Sequence, residues 1–328
     1  MNINYLQIIK DAWKITWKNR YLWWFGFFIT LGGGGSMNYF FNSGEEKKLD
    51  PAQNEKILEF FSQNMHWILT FTIIVFLLLI IFYILCIIAR GALIASIEKN
   101  SKGQVANFKS GWDSGKKNFW KIFIIDFSLG LFIFITLLIL IAPVAILFFN
   151  KNYIIGGILA FLAILIFIPI AILSNYLRTY SYFYSILGKL NFWPAVENAY
   201  NLFVKNIWAS ILLSLIFIPL GIILMLIILA ILPLLFIIFL VLSGIGYLAI
   251  GEITAIVIGA IGIAIFFLYA IFVKSIYAVF SQAIWILFFH EIASPKITEE
   301  IVTIETTTEP LSKPMPVIEV KRNPKAEL

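Results

Sequence analysis

Charged residues make up only 13% of the 328-residue chain, whereas hydrophobic residues make up 61%. Soluble globular domains hold about 25% charged and about 45–50% apolar residues. This shortage of charge excludes a soluble enzyme, a disordered protein and a nucleic-acid binder. The single cysteine, Cys86, cannot form an internal disulfide, which excludes a disulfide-stabilised secreted domain. In a membrane chain, the placement of the basic residues matters more than the net charge of +6.

Motifs for catalysis or metal binding are also missing from the sequence. The two histidines, His66 and His290, are predicted at opposite membrane faces, and neither has cysteine or carboxylate partners at ligand spacing. The glycine run at residues 32–35 lacks the lysine and hydroxyl residue of a phosphate-binding loop. No nucleophile elbow or zinc-protease motif occurs. We therefore predict a protein that is not an enzyme and that holds no metal or cofactor.

Six charge-free stretches are long enough to cross a membrane. A bilayer core about 30 Å thick needs about 20 mostly apolar helical residues, because each backbone amide must find its partner within its own segment. The stretches are residues 21–44, 60–89, 127–150, 152–177, 206–251 and 253–273. They predict an all-α integral membrane protein with six transmembrane helices. Glycines weaken the first span, since each costs a helix about 1 kcal/mol relative to alanine.

The lysines and arginines predict the orientation. With the N-terminus in the cytoplasm, 20 of the 24 basic residues fall on the cytoplasmic side of the six spans. The four that fall outside are Lys47, Lys48, Lys56 and Lys151. Basic residues concentrate in cytoplasmic loops, so we expect a multi-pass protein of the plasma (inner) membrane with both termini in the cytoplasm.

The fifth stretch leaves the number of spans open. Its 46 residues would extend about 69 Å as a helix, which is enough for two crossings. Seven spans would place the C-terminus outside. Residues 228–233 contain no polar or glycine turn, and the first break is expected at residues 243–246. We favour one long helix kinked near Pro219 and Pro233, followed by an apolar outer segment.

An internal triplication runs through the chain. Each copy has a small residue and an aromatic residue, then a Lys-Asn pair, then another aromatic residue and a hydrophobic stretch. The pairs are Lys18-Asn19, Lys117-Asn118 and Lys205-Asn206. A basic residue, Arg90, Arg178 or Lys274, closes the second hydrophobic stretch of each copy. The pattern predicts three hairpin repeats: residues 1–99 with an outer loop at 36–59, residues 100–190, and residues 191–291 with an extended apolar outer segment. Residues 292–328 should form a disordered cytoplasmic tail.

An amphipathic segment precedes each Lys-Asn pair. In the first, Tyr5, Ile8 and Ala12 recur at helical spacing, and Lys10 and Lys14 lie on the other face. This pattern predicts helices that lie on the cytoplasmic leaflet, where anionic headgroups attract their basic faces. The expected headgroup contacts are Lys18, Arg20, Lys117, Lys205, Arg90 and Lys274.

The triplicated motif, together with the aromatic stretch at 178–215, resembles a poorly characterised bacterial family. The stretch reads Arg-Thr-Tyr-Ser-Tyr-Phe-Tyr-Ser-Ile, and later Ala-Val-Glu-Asn-Ala-Tyr-Asn-Leu-Phe-Val-Lys-Asn-Ile-Trp. It looks like the membrane domain that is fused to some glycerophosphoryl diester phosphodiesterases and also occurs alone. The resemblance covers residues 1–292 and implies a multi-span membrane module without the hydrolase. No segment is long or polar enough for the catalytic barrel, and the resemblance assigns no catalytic residue.

Two acidic residues occupy unusual positions. Asp126 lies about 9 Å past Trp120 along the third span, and an intramembrane carboxylate marks an ion or proton pathway by default. Alternatively, Asp126 holds a neighbouring helix through Asn175 or Arg178. Glu252 opens the sixth span, where it either binds a cation or interacts with the positive end of the helix dipole. These four residues, Asp126, Asn175, Arg178 and Glu252, form the candidate intramembrane polar site.

Two functions fit this sequence. The first is a non-enzymatic membrane module that interacts with lipid or organises a partner, with a tail available to a cytoplasmic protein. The second is a transporter or permease for a lipid or small solute, with spans broken by proline around Asp126. The prolines concerned are Pro143, Pro169, Pro219 and Pro233. The expected partners are the bilayer and its anionic lipids, and the oligomeric state is open.

Overall fold

The computed structural model describes residues 3–32 and 51–307, including the side chains of residues 3–32 and 61–293. All regular structure in these ranges is helical, which confirms the all-α prediction. The helices are α1 (Tyr5–Lys18), α2 (Leu22–Gly32), α3 (Pro51–Ser101), α4 (Phe108–Lys117), α5 (Phe119–Phe149), α6 (Tyr153–Ile186), α7 (Phe192–Lys205), α8 (Ile207–Ala249) and α9 (Glu252–Thr307). The chain forms two compact units, Met1–Ile292 and Ala293–Leu328.

Five helices are long and apolar enough to cross a membrane, namely α3, α5, α6, α8 and α9. The first predicted span is represented by α2, an apolar helix of 11 residues. Residues 33–44 of that span lie outside the described residues, so the count of six stays a prediction. The helix α3 begins at Pro51, inside the outer loop predicted at 36–59. The helix α9 continues to Thr307, inside the tail predicted at 292–328, and residues 308–328 lie outside the described part.

The fifth stretch forms one helix. α8 contains both Pro219 and Pro233, and it continues through residues 243–246, where we predicted a break. The hydroxyl of Ser243 donates to the Ala255 carbonyl of α9 at 2.8 Å, so a polar residue that suggested a turn instead holds the hairpin together. The chain reverses only at Gly251, whose φ of 127° favours glycine. The separate apolar outer segment is therefore replaced by the end of α8.

The three Lys-Asn pairs end α1, α4 and α7 in the same way. Each asparagine is the C-terminal cap, and its side-chain Nδ2 donates to the carbonyl oxygen four residues earlier at 2.9 to 3.0 Å. These asparagines are Asn19, Asn118 and Asn206. The last carbonyl groups of a helix have no partner within it, so the side chain satisfies one of them. An apolar helix begins one to three residues later.

The three short helices bury one face each against the long helices. In α1 the buried residues are Ile8, Ala12 and Thr16. In α4 the buried positions are Gly111 and Gly115, which bring the helix backbone close to α3. In α7 they are Ala195, Ala199, Leu202 and Phe203. The small residue seven positions before each capping asparagine is therefore a contact point with another helix.

These contacts close a ring. α4 packs on α3, and α7 packs on α6, so each short helix lies on the long helix that precedes it in the chain. α1 has no preceding helix and packs on α9 instead, with ring contacts between Tyr5 and Phe288 at 6.1 Å and between Trp13 and Phe280 at 5.6 Å. We call α1, α4 and α7, together with residues 86–101 of α3, 174–186 of α6 and 275–292 of α9, the collar. Most of the buried apolar side chains lie in it.

The remaining parts of the long helices project from the collar as hairpins. α5 packs on α6, and α8 is joined to α9 by the hydrogen bond from the Tyr269 hydroxyl to the Ile227 carbonyl at 2.9 Å. The most apolar 18-residue stretches of the five long helices are only 0% to 11% buried. Such exposure of apolar surface suits contact with lipid chains rather than with water.

Candidate functional site

Asp126 of α5 lies in a cluster of side chains from three helices. Its Oδ2 accepts a hydrogen bond from Arg90 Nη1 of α3 at 2.8 Å, and its Oδ1 accepts one from the Tyr182 hydroxyl of α6. Arg90 Nη1 also donates to the Tyr182 hydroxyl at 2.9 Å. Arg178 Nε of α6 lies 3.6 Å from Asp126 Oδ1. We call these four residues the ion cluster.

The ion cluster has one more positive than negative charge. Arginine stays protonated in proteins, so two guanidinium groups face one carboxylate. The Asp126 side chain is 10% exposed, whereas those of Arg90 and Arg178 are 23% and 35% exposed. Arg178 Nε is buried without a hydrogen-bond partner among the described residues. Because Arg90 and Arg178 share the single carboxylate of Asp126, the exposed part of Arg178 is suited to a further anion.

The ion cluster contains only two of the four residues predicted for the polar site. Asp126 and Arg178 meet, as one of the two sequence interpretations required. Asn175 is exposed on α6, because the residues that face inward are its neighbours Ser174 and Tyr176. Glu252 is exposed at the first position of α9, at the other end of that helix from the collar. An acidic residue there interacts favourably with the helix dipole.

Arg90 was predicted to contact lipid headgroups, but the structure directs its guanidinium to Asp126 and Tyr182. Its carbon Cζ also lies 5.3 Å from the centre of the Tyr182 ring. The reason is that most of residues 86–97 of α3 are buried inside the collar, so Arg90 points into the molecule. The basic residue at the end of each hairpin drew attention to Arg90 in the sequence. No local pattern predicted that Arg90 would pair with Asp126. Tyr182 had no sequence signal that set it apart from the other tyrosines of residues 178–184.

The other predicted headgroup contacts divide into two groups. Lys18, Arg20, Lys117 and Lys205 are exposed at or just after the ends of α1, α4 and α7. Lys274 is only partly exposed and precedes Ser275, whose hydroxyl donates to the Trp23 carbonyl of α2 at 2.5 Å. It therefore lies where α9 packs on α2, unlike the four exposed residues.

A second polar contact joins α3 to α9 within the collar. His290 Nε2 lies 2.5 Å from Glu98 Oε2, and Glu98 also pairs with Lys102 at 2.8 Å. His66 lies on the hairpin part of α3, 32 residues before Glu98, so it is far from His290 of α9. Within the described ranges, no group of three or more histidine, cysteine, aspartate or glutamate residues is placed to hold a metal ion.

Comparison of the chain with known protein families, with curated proteins and with solved structures found no match. The collar, the hairpins and the ion cluster are therefore the features that bear on function.

Proposed function

We propose that this protein is a non-enzymatic membrane module that binds anionic lipid at the cytoplasmic leaflet and presents its hairpins to lipid or to partner spans. The observation that carries the proposal is the division between a packed collar and exposed hairpins. An enclosed route through a membrane needs helices that pack around it, whereas the apolar stretches here are at most 11% buried. Their exposed surface is instead available to lipid chains and to other membrane helices.

The collar supplies the groups for anionic lipid. Lys18, Lys117 and Lys205 each end a short helix, where a cation also interacts favourably with the helix dipole. Trp120 and Trp208 are 68% and 81% exposed in the first turns of α5 and α8. Tryptophan is enriched at the membrane interface, so these side chains mark the headgroup level close to the lysines. The excess positive charge at Arg178 offers a further contact for a lipid phosphate.

The proposed topology has six crossings, arranged as three hairpins, with both termini in the cytoplasm of a bacterial cell. Gly32, at the end of α2, lies against Phe82 and Cys86. Pro51 starts α3 about 46 Å away from Phe82 along the helix axis, at 1.5 Å per residue. The charge-free stretch at residues 21–44 supports a first crossing that runs opposite to α3. With this crossing, the bias of basic residues places α1, α4 and α7 at the cytoplasmic leaflet.

The resemblance to the membrane domain of glycerophosphoryl diester phosphodiesterases stays a prediction and agrees with this proposal. A membrane domain that lacks the hydrolase would supply lipid contact rather than catalysis. The ion cluster suits a structural and lipid-binding role, because its carboxylate is held by two arginines and a tyrosine and is not poised as a base.

The test is charge reversal at the three collar lysines. A full-length variant with Lys18, Lys117 and Lys205 changed to glutamate should retain at least about tenfold less phosphatidylglycerol during purification, since each basic residue near a membrane surface is worth about 1 kcal/mol. The matched control changes Lys47, Lys48 and Lys151, on the predicted outer side, to glutamate. Lipid would be measured by mass spectrometry. Equal retention by the two variants would refute the proposal.

Transport by way of Asp126 has less support. Pro143, Pro169, Pro219 and Pro233 all lie inside continuous helices, not at breaks that free backbone carbonyl groups for a substrate. The carboxylate of Asp126 is also already neutralised. Solute or lipid flux in liposomes that depends on Asp126 would favour this function over the proposed one.

A further inference from the structure

A polar cleft opens between α1 and the connection from α3 to α4. Its volume is about 540 Å³, within the range of about 300–1,000 Å³ that is typical of small-molecule sites. Residues 11–19 of α1 line one wall, and residues 100–106 line the other. Leu287 of α9 contributes an apolar contact. The cleft lies at the end of α3 that is remote from the hairpins.

Most polar side chains of the cleft already have partners. Asp11 Oδ2 accepts a hydrogen bond from Gln7 Nε2 at 3.0 Å. Asn19 Nδ2 donates to the Ile15 carbonyl at 2.9 Å, and Asn100 Nδ2 donates to the Tyr21 hydroxyl at 3.0 Å. The Ser101 hydroxyl donates to the Glu98 carbonyl at 2.8 Å. These groups shape the walls and leave little capacity to bind a cation.

Two lysines of the cleft are different. Lys14 and Lys18 are one helical turn apart on α1, so both ammonium groups reach over the same wall. Neither has a carboxylate within ion-pair distance among the residues that the structure describes. Asp11 is the only acidic residue of the lining, and the cleft therefore carries a net charge of +1. The side-chain amide of Gln104 adds two further donors on the opposite wall.

We propose that this cleft binds a phosphate-bearing polar group between Lys14, Lys18 and Gln104. Two ammonium groups and an amide supply donors from both walls, which matches the several acceptor oxygens of a phosphate. The inference extends the proposed function at Lys18 and adds a defined site with Lys14 and Gln104. The cleft would recognise one phosphate-bearing group, whereas the proposed function involves attraction of anionic lipids to the whole collar.

The phosphate has two chemical sources, a lipid headgroup or a soluble phosphate ester. A second groove, about 410 Å³, is lined by Arg20, Tyr21, Trp24 and Phe108. Tyr21 separates it from the cleft, because its hydroxyl accepts the hydrogen bond from Asn100. A lipid would place its headgroup in the cleft and apolar chain along the aromatic groove, whereas a soluble ester would occupy the cleft alone.

The experiment compares Lys14→Gln with Lys10→Gln in the full-length protein. Both lysines are exposed on α1, but only Lys14 lines the cleft. In the first arm, binding of sn-glycerol 3-phosphate is titrated in uncharged detergent. In the second arm, the protein is placed in nanodiscs of phosphatidylcholine and phosphatidylglycerol. After the protein is released from the nanodiscs, native mass spectrometry counts the phosphatidylglycerol molecules that stay bound to it. Lys14→Gln should weaken binding about tenfold in the arm that contains the phosphate compound recognised by the cleft. Lys10→Gln should bind as the wild type does.

The outcomes separate the sources and the two proposals. A loss confined to the nanodisc arm identifies a lipid headgroup, and a loss in the detergent arm identifies a soluble phosphate ester. Equal binding by Lys14→Gln and the wild type in both arms overturns the cleft, as does an equal loss in Lys10→Gln. Lys18 belongs to both proposals, so a variant with only Lys117 and Lys205 changed to glutamate separates them, because neither residue lines the cleft. Loss of retained phosphatidylglycerol in that variant, with binding unchanged by Lys14→Gln, supports the collar alone, and the reverse result supports the cleft alone.

Discussion

Asp126 connects three helices through partners that are far from it in the sequence. Arg90 is 36 residues before it and Tyr182 is 56 residues after it. In surroundings of low dielectric, such a cluster is stable only while opposite charges and hydrogen bonds accompany each other. The carboxylate therefore acts as the centre around which α3, α5 and α6 are aligned where the hairpins leave the collar.

Changing Asp126 to asparagine should destabilise the protein. The amide keeps the size of the side chain but leaves Arg90 and Arg178 without a counter-ion, at a cost of about 3 kcal/mol, near the lower end for a buried pair because both arginines are partly exposed. The free energy of unfolding in detergent would measure it. The control is Asp113→Asn, an exposed carboxylate on α4, which should change stability little. Equal stability of the two variants would contradict the role of the cluster.

At the scale of elements, the chain turns three times in the same way from a short collar helix into an apolar helix. Each of these helices ends at an asparagine whose side chain donates a hydrogen bond to a carbonyl oxygen of the same helix. The three residues are Asn19, Asn118 and Asn206. Asn118 and Asn206 are also the N-terminal caps of the helices that follow them, α5 and α8. A single residue between two helices leaves few backbone angles to vary, so it sets the angle between the short helix and the apolar helix that follows.

Removal of one of these caps should have a measurable cost. Asn118→Ala loses the bond from Nδ2 to the Ser114 carbonyl, and the free energy of unfolding should fall by about 1 kcal/mol. The same change at Asn19 or Asn206 should cost a similar amount. Asn201→Ala, at an exposed position within α7, serves as the control. An effect at Asn118 no larger than that at Asn201 would show that the cap does not stabilise the turn.

The contact between α4 and α3 depends on a glycine. A methyl group at Gly115 would overlap the Ile88 carbonyl oxygen and would come within 3.0 Å of the Ala92 nitrogen. Gly115→Ala should therefore push the helices apart and destabilise the collar by about 1–3 kcal/mol. Gly130→Ala on α5 adds the same methyl group to open space and should be neutral or stabilising, by up to about 1 kcal/mol. Thermal unfolding of the two variants would distinguish these outcomes.

At the scale of the whole molecule, the ring of contacts links the ends of the chain. α1 packs on α9 with the aromatic contacts of Tyr5 and Trp13, so the N-terminal helix completes the collar. Each short helix packs on a long helix from a different predicted repeat, so no hairpin forms its part of the collar alone. We expect the collar to assemble as one cooperative body and the hairpins to depend on it for their spacing.

The proposed orientation can be tested by cysteine labelling at two turns. Lys151 and Lys189 are both turn residues with positive φ, 59° and 55°, so a cysteine at either position carries similar strain. Cys86 is 2% exposed and should be silent toward a membrane-impermeant maleimide. In intact cells, Lys151→Cys should be labelled, whereas Lys189→Cys should be labelled only after permeabilisation. Labelling of both residues from outside would reject the topology.

Much of the helical framework follows from the sequence. The five long apolar helices lie where charge-free stretches predicted them, and the short helices α1, α4 and α7 end at the recurring Lys-Asn pairs. The continuation of α8 through residues 243–246 was not predicted, because glycine and serine signal a turn in water but pack well between membrane helices. The contact of Arg90 with Asp126 and Tyr182 was also not predicted. A basic residue at the end of a span gives the same sequence pattern whether its side chain faces lipid or protein.

The sequence alone determined that this chain lies in a membrane and where its helices run, because a helix in lipid must satisfy its backbone within itself and so leaves a local signal. Only the tertiary structure decided which side chains share a site. The pairing of Asp126 with Arg90 and Tyr182, the ring closed by α1 and α9, and the cleft between Lys14 and Gln104 depend on contacts between distant segments. Such contacts are set by how whole helices pack, and no local pattern of residues encodes them.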